Sequence, residues 1–172
     1  MTAIITTLKL KDWELYRALR LKSAETDPFA SIPNEEEVAA CPNDIWRAHL
    51  NVNYAHGAIF CAFEKDTPVG LISVHRKPNF KVKHVGVIEG LCVVPDSRNQ
   101  GTGTMLLKEA LQYFSEIGGI RTVELQVAMT SSIAIKLFEK FDFKIIGRHH
   151  EALHIGKDYF DVFSMEMKCE VS

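Results

Sequence analysis

The residues best suited to chemistry lie between Glu89 and Leu107, where a carboxylate precedes a glycine-rich loop. The loop has the spacing Arg-x-x-Gly-x-Gly, formed by Arg98, Gly101 and Gly103. Glycines let a backbone turn and approach a ligand without a Cβ in the way. The helix predicted just after them would point its free N–H groups and the positive end of its dipole at the same place. We therefore expect this loop to bind a pyrophosphate.

Two better-known phosphate-binding motifs do not fit this loop. A P-loop needs a Lys followed by Ser or Thr after its last glycine, and Thr104-Met105 stands there instead. A dinucleotide fingerprint needs a third glycine three residues after Gly103, at the place that Leu106 takes. An ordinary strand-to-helix turn is the alternative interpretation, and a lone Gly-x-Gly would not distinguish the two.

The residues before the loop make the pattern more specific. An apolar strand ends in Val93-Val94-Pro95, and Arg98 and the two glycines follow. This composite resembles the acetyl-CoA-binding motif of the GNAT acetyltransferase superfamily. The resemblance implies that main-chain groups of the strand contact the pantetheine amides and that the loop holds the pyrophosphate. The cofactor-binding residues that it implies are Leu91, Cys92, Val93, Arg98, Asn99, Gln100, Gly101, Thr102, Gly103, Thr104, Ser131 and Phe138.

The order of the predicted elements supports the same superfamily. Hydrophobic periodicity and turn residues predict the order β, helices, β-β-β, α, β, α, β-β. This order predicts an α/β fold with a mixed, mostly antiparallel sheet flanked by helices, similar to the GNAT acyl-CoA N-acyltransferase fold. No linker or repeat divides the chain, so we predict one N-acetyltransferase domain over residues 1–172. The predicted strands are 3–7, 57–64, 69–75, 82–94, 121–128, 143–149 and 160–168, and the predicted helices are 13–24, 35–38, 45–50, 104–117 and 131–141.

Both ends of the chain resemble one bacterial group of the superfamily. In that group a helix rich in Arg and Leu is followed by an Asp-Pro turn with a phenylalanine, an acidic run and a Trp-Arg pair, and a hairpin closes the chain. The similar residues here are Asp27-Pro28-Phe29-Ala30, Glu35 to Glu37, Trp46-Arg47 and, more loosely, Lys157-Asp158-Tyr159-Phe160-Asp161.

Acetyl transfer to an amine needs a base, because the amine is an ammonium at neutral pH. Strand alternation predicts that Glu89 shares one face with Val85, Val87, Leu91 and Val93. A carboxylate among apolar neighbours is costly unless it is paired or its pKa is raised, and either condition suits a base. We predict that Glu89 is the catalytic base. The alternative is a structural ion pair with an Arg or Lys of the first helix.

The last predicted helix departs from the pattern of the superfamily. Many members have a tyrosine there as the general acid, and Phe138 takes its place in this chain. Because phenylalanine has no proton to donate, the thiolate would leave unassisted or be protonated by water or another residue, with Tyr54 and Tyr159 as candidates. Ser131 replaces the usual asparagine and is expected to cap the helix. The same departure leaves open a catalytically silent CoA-binding module.

A second motif suggests a different chemistry. His150-Glu151-x-x-His154 matches the pattern of zinc metallopeptidases, in which both histidines lie one helical turn apart and a third ligand follows. The residues before it predict a strand, and Gly156 follows too closely to leave room for a helix. We therefore predict no metal, and a zinc-dependent hydrolase remains the alternative function.

Composition limits the partners. The formal net charge of −2 gives no general attraction to nucleic acid or to an anionic membrane. No apolar run is long enough to span a bilayer, and the first residues do not form a secretory signal. The four scattered cysteines fit a reducing cytosol.

We predict a cytoplasmic enzyme that transfers an acetyl group directly from acetyl-CoA to a primary amine of a small molecule or peptide. A homodimer is compatible with the sequence, although no residue argues for one.

Overall fold

A computed structural model of the chain describes residues 3–29, 33–51 and 55–169. Twelve helices and strands longer than one 3₁₀ turn follow each other in the predicted order. The strands are β1 (Ile4–Thr7), β2 (Gly57–Glu64), β3 (Thr67–Arg76), β4 (Val85–Val93), β5 (Thr122–Ala128), β6 (Lys144–Ile155) and β7 (Asp158–Lys168). The helices are α1 (Trp13–Thr26), α2 (Glu35–Ala40), α3 (Asn43–Leu50), α4 (Thr102–Ile117) and α5 (Ser132–Glu139).

The strands form one seven-stranded sheet in the order β1-β2-β3-β4-β5-β7-β6. Strands β4 and β5 are parallel, and the other neighbouring pairs are antiparallel. A parallel pair needs a crossover connection, and α4 provides it between β4 and β5. The predicted mixed, mostly antiparallel sheet is therefore confirmed.

Each face of the sheet is covered by helices with a matching apolar stripe. On one face the stripe of α4, including Leu107 and Phe114, packs against Ile72 and Val123 in the larger core cluster. On the other face α1 and α3 contribute a second cluster, in which Leu19 and Trp46 contact sheet residues such as Leu71. Burial of these stripes, at about 25 cal/mol per Å² of apolar surface, is the main stabilisation of the layers. Among the described residues, none of the helices has the length and apolar character needed to cross a membrane.

Several boundaries differ from the predicted ones, and three of these differences concern β4, α4 and β6. The chain before β4 forms a short 3₁₀ turn at Phe80–Val82, so the strand begins at Val85 and not at residue 82. Helix α4 begins at Thr102 and not at residue 104, because the left-handed Gly101 ends the loop two residues earlier. Strand β6 continues to Ile155, well past residue 149, because its partner β7 keeps pairing with it beyond a bulge.

Candidate active site

A cleft of about 710 Å³ opens where the sheet divides. Strands β4 and β5 pair from Val85 and Thr122 up to Ile88 and Leu125, where their register ends. Beyond this point β4 stays with β3, and β5 stays with β7. Ten of the twelve predicted cofactor-binding residues line the cleft, together with Glu89. These ten are Leu91, Cys92, Val93, Arg98, Asn99, Gly101, Gly103, Thr104, Ser131 and Phe138.

A β-bulge at Gly90 explains why the strands separate. Ser73 of β3 pairs with Glu89, and Leu71 pairs with Cys92, so β4 carries one extra residue. Gly90 takes up this residue with a left-handed φ of +60°. The extra residue bends β4 away from β5 and starts the cleft.

The bulge also reverses the alternation of side chains. Leu91 and Val93 pack against the α4 side of the sheet. Cys92 packs against the α1 side, the face that holds Ser73, the partner of Glu89. The prediction that Glu89 shares a face with Leu91 and Val93 is therefore wrong, because simple alternation does not continue through an inserted residue.

Main-chain groups of β4 point into the cleft. The N–H of Val94 donates to the carbonyl of Val69 at 2.8 Å, so Val94 faces β3. Because backbone groups alternate along an antiparallel strand, those of Val93 and Leu91 face the opposite way, towards the space that β5 has left. The carbonyl of Val93 accepts a hydrogen bond from Nε of Arg98 at 2.8 Å. The N–H groups remain directed at the cleft, ready to bind an amide-bearing ligand.

The glycine-rich loop ends in a set of N–H groups at the start of α4. Asn99 and Gly101 have φ values of +59° and +87°, which turn the backbone sharply. The first helical hydrogen bond runs from Met105 N–H to the carbonyl of Gly101 at 3.0 Å. The N–H groups of residues 102–104 precede this bond and have no intrahelical acceptor. Backbone N–H groups in such a turn, next to a helix dipole, form an anion site.

Two predicted loop residues do not line the cleft. The side chain of Gln100 donates to the carbonyl of Asp96 at 2.9 Å, within the loop. Thr102 is buried as the first residue of α4. Each could contact a ligand only through its main chain, because its side chain is used to build the loop.

Arg98 connects the loop to two other elements. Besides its bond to Val93, its Nη2 lies 3.4 Å from Oδ2 of Asp27, just after α1. Asp27 and Phe29 both line the cleft, and the ring of Phe29 contacts Phe160 of β7 edge-on at 5.0 Å between centroids. The short segment from Asp27 to Phe29 thus spans the cleft from the anion loop to β7. Sequence reasoning did not assign this segment to the site, because its partners are distant in the chain.

Helix α5 forms the opposite wall. Lys136 and Lys140 line the cleft, and the sequence analysis missed both, since a lysine on an amphipathic helix ordinarily faces solvent. Ser131 stands at the N-cap and its carbonyl accepts from Ile135 N–H at 3.0 Å. Its side chain makes no capping bond, so the predicted side-chain cap is wrong. The two ammonium groups add positive charge near the anion loop.

Glu89 stands at the mouth of the cleft, and its surroundings differ from the prediction. Its side chain is 65% exposed, so it is not a carboxylate among apolar neighbours. Its Oε2 lies 3.9 Å from Nδ1 of His75 on β3. Because the carboxylate reaches both solvent and the cleft, a proton taken up there can pass on to water.

The candidate acids and the histidine motif lie elsewhere. Phe138 is buried against Phe143. Tyr159 stacks on His154, 4.6 Å between centroids, in the β6-β7 hairpin and outside the cleft lining. Tyr54 lies outside the described residues. The prediction that His150 to His154 form no helix is confirmed, because β6 runs through them, and in the described ranges no three His, Cys, Asp or Glu side chains are grouped to hold a metal ion.

Comparison with known proteins identifies the family. The family model described as "Acetyltransferase (GNAT) family" matches residues 16–143, which includes both strands of the cleft and the anion loop. The chain belongs to the GNAT acetyltransferase family. It is similar to the L-amino acid N-acetyltransferase AaaT of Escherichia coli (strain K12), with 22% identity over 150 residues that cover 87% of this chain and 90% of the relative.

Solved structures of other acetyltransferases share the fold of this chain. A GNAT-family acetyltransferase from Streptococcus pneumoniae superposes with a TM-score of 0.88 at 22% identity, covering 97% of this chain and 99% of the other. The Salmonella typhimurium protein yncA, solved with its cofactor acetyl-CoA, superposes with a TM-score of 0.84 at 13% identity, covering 100% of this chain and 96% of the other. At these identities the likeness concerns the fold.

One thiol of the acetyltransferase lines the cleft, and its electrostatics restrict the mechanism. Burial raises the pKa of the Cys92 thiol, which works against the nucleophilic thiolate form. Burial also raises the pKa of Cys61, on the same face, to about 12. Neither sulfur is therefore poised to attack an acyl group.

Proposed function

We propose that this protein transfers the acetyl group of acetyl-CoA to a primary amine of a small molecule or peptide, in the cleft between β4 and β5. The observation that carries the proposal is the unpaired edge of β4 beside the anion loop. Acetyl-CoA has amides along its pantetheine arm and a pyrophosphate next to it, and this edge and loop match those two chemical groups in order. The ammonium groups of Lys136 and Lys140, which also line the cleft, would attract the negative charge of the remaining phosphate group of acetyl-CoA.

Each part of the cleft has a role in this proposal. Bound acetyl-CoA would supply an activated acetyl thioester. The N–H groups of Leu91 and Val93 hold the amides, and one of these groups polarises the thioester carbonyl. The N–H groups of residues 99–104 hold the pyrophosphate. Glu89 accepts the proton of the acceptor ammonium, directly or through one water.

We infer that the transfer is direct. A route through an acetylated enzyme needs a nucleophile in the cleft, and the raised pKa of Cys92 leaves its thiol protonated near neutral pH. Phe138 has no proton to donate at the place of the family's tyrosine, and of the candidate acids that the structure describes, Tyr159 lies outside the cleft lining. Water at the cleft mouth therefore protonates the leaving thiolate in this mechanism.

Two of the remaining expectations have support, and the others stay predictions. All described strands belong to one sheet, which supports a single N-acetyltransferase domain over residues 1–172. A small amino acid is a reasonable acceptor, since the Escherichia coli relative is named for that substrate class. The absence of a bound metal, the cytoplasmic location and a homodimer stay predictions. The comparisons give no support to a zinc-dependent hydrolase.

An acetyl-transfer assay tests the proposal. The purified protein is supplied with acetyl-CoA and a panel of L-amino acids, their amides, polyamines and short peptides, and both free CoA thiol and acetylated amine are measured. We expect product with at least one acceptor, an intersecting initial-velocity pattern, and no acetyl adduct in the intact mass without acceptor. Acetyl-CoA binding without any product would favour the silent module. Peptide hydrolysis that stops on adding a chelator would favour the zinc enzyme.

A further inference from the structure

Arg20 of α1 lies directly against the bulge that opens the cleft. A methyl group at Gly90 would overlap Nη1 of Arg20 and lie 3.3 Å from its Cζ. The guanidinium therefore occupies the space that a side chain at residue 90 would fill. Gly90 itself lines the cleft, and Glu89 is the next residue along β4. The cation of Arg20 therefore lies against the residue that follows Glu89 on β4.

The charges of Arg20 and Glu89 both act on the pKa of Tyr16. The positive charge of Arg20 lowers the pKa of Tyr16 and the negative charge of Glu89 raises it, although burial is the largest cause of its raised value. Burial lowers the pKa of His49, and Arg20 lowers it further. Because Arg20 belongs to α1 and Glu89 acts on Tyr16 of the same helix, both charged groups lie on the sheet face that α1 and α3 cover, opposite the face that α4 covers.

This arrangement of charge matches a zwitterion. An α-amino acid carries an ammonium and a carboxylate on one carbon, so its two charges need an anion and a cation close together. A guanidinium binds a carboxylate through two parallel N–H bonds, and its five N–H donors allow such a pair besides contacts within the protein. Partial burial strengthens the attraction, because less water screens the charges.

We propose that Arg20 binds the carboxylate of the acceptor while the acceptor's amine faces Glu89, so that free α-amino acids are the preferred substrates. This inference rests on the proposed acetyl transfer and adds a substrate class and a specificity residue to it. It also gives residue 90 a second reason to be glycine, besides its left-handed φ, because any larger residue would displace the guanidinium.

Pairs of acceptors that differ only in the carboxylate test the inference. We would measure kcat and KM for L-methionine, L-phenylalanine and L-arginine, each beside its primary amide, which keeps the amine and removes the charge. For at least one pair we expect wild-type kcat/KM to favour the free acid by about tenfold or more. In Arg20→Gln we expect KM for the acid to rise by about 10- to 100-fold, with KM for the amide unchanged.

Two further variants separate recognition from folding. Arg20→Lys keeps the charge without the planar fork, and we expect it to restore part of the preference. Arg17→Gln is the matched control, because Arg17 lies on the same helix and donates to the carbonyl of Ala39 instead. We expect this control to keep the wild-type preference. Acetyl-CoA affinity, measured by calorimetry, should be unchanged in all three variants if the fold is intact.

Different results would contradict the inference and the proposed function. Equal kcat/KM for acid and amide in the wild type would show that no carboxylate site exists. An equal fall for both acceptors in Arg20→Gln would show that Arg20 is structural. If no amine in the wider panel were acetylated although acetyl-CoA binds, the proposed transfer itself would fail, and this inference with it.

Discussion

Glu89→Gln is expected to lower turnover by about 10²- to 10⁴-fold, the usual contribution of a positioned general base. The amide keeps the shape of the carboxylate and cannot accept the proton of the acceptor. Affinity for acetyl-CoA should barely change, because the proposed cofactor contacts are made by β4, the loop and α5. Steady-state kinetics gives the turnover, and calorimetry with acetyl-CoA gives the affinity.

The pH profile and a matched glutamate control complete this experiment. We expect the pH profiles of the wild type and the variant to differ, because only the wild type has a carboxylate at residue 89. With Phe138 in the usual acid position, no falling limb from a tyrosine at that residue is expected. Glu64→Gln, at the end of β2, should keep wild-type turnover. A Glu89→Gln enzyme with the turnover and pH profile of the wild type would show that Glu89 is structural.

Gly101→Val is expected to weaken acetyl-CoA binding by about 10- to 100-fold. Gly101 lines the cleft and a methyl group there has no protein atom within 4 Å, so a valine side chain would occupy open space beside the loop. It would obstruct the approach of a pyrophosphate to the N–H groups of residues 102–104. Losing one charge-assisted hydrogen bond corresponds to about 1.5–3 kcal/mol of binding free energy. Calorimetric titration of the folded variant measures the change.

Strain at Gly101 must be separated from loss of contact. Its φ of +87° is left-handed, so valine also lowers the free energy of unfolding, by about 1–2 kcal/mol or more. Gly156→Val provides the control, because Gly156 has a φ of +67°, no protein atom within 4 Å of an added methyl group, and a place in the β6-β7 turn. We expect similar unfolding penalties in both variants and weaker binding only in Gly101→Val. Equal acetyl-CoA affinities would contradict the placement of the pyrophosphate.

Local patterns in the sequence were sufficient for the order of elements and for the loop. The run from Val93 to Gly103 predicts a strand end, a turn and a helix start because proline and glycine restrict the backbone locally. The apolar stripe of α4 also predicts that this helix covers a face of the sheet. This prediction is possible because a periodicity of 3.6 residues is a local property of the sequence. The ten predicted residues that line the cleft came from the resemblance to the GNAT motif, and they lie on or beside these elements and on α5.

The remaining errors come from long-range pairing. The bulge at Gly90 depends on how β3 aligns with β4, and alternation alone places Leu91 on the wrong face. The exposure of Glu89 follows from the same bulge. Phe29 reaches the cleft beside Phe160 of β7, and Lys136 lines the cleft because α5 forms one of its walls. No local pattern encodes either placement. Such features need the assembled sheet.

Amide hydrogen exchange with and without acetyl-CoA tests the central claim most directly, because it maps the ligand without relying on activity. Binding should slow exchange in peptides that contain residues 89–94 and 99–105, where N–H groups would gain acceptors. Peptides that cover the β6-β7 hairpin from residue 150 to residue 158 should exchange as before. Slower exchange confined to the hairpin, with the β4 edge and the loop unchanged, would contradict the proposal that the cleft between β4 and β5 is the acetyl-CoA site.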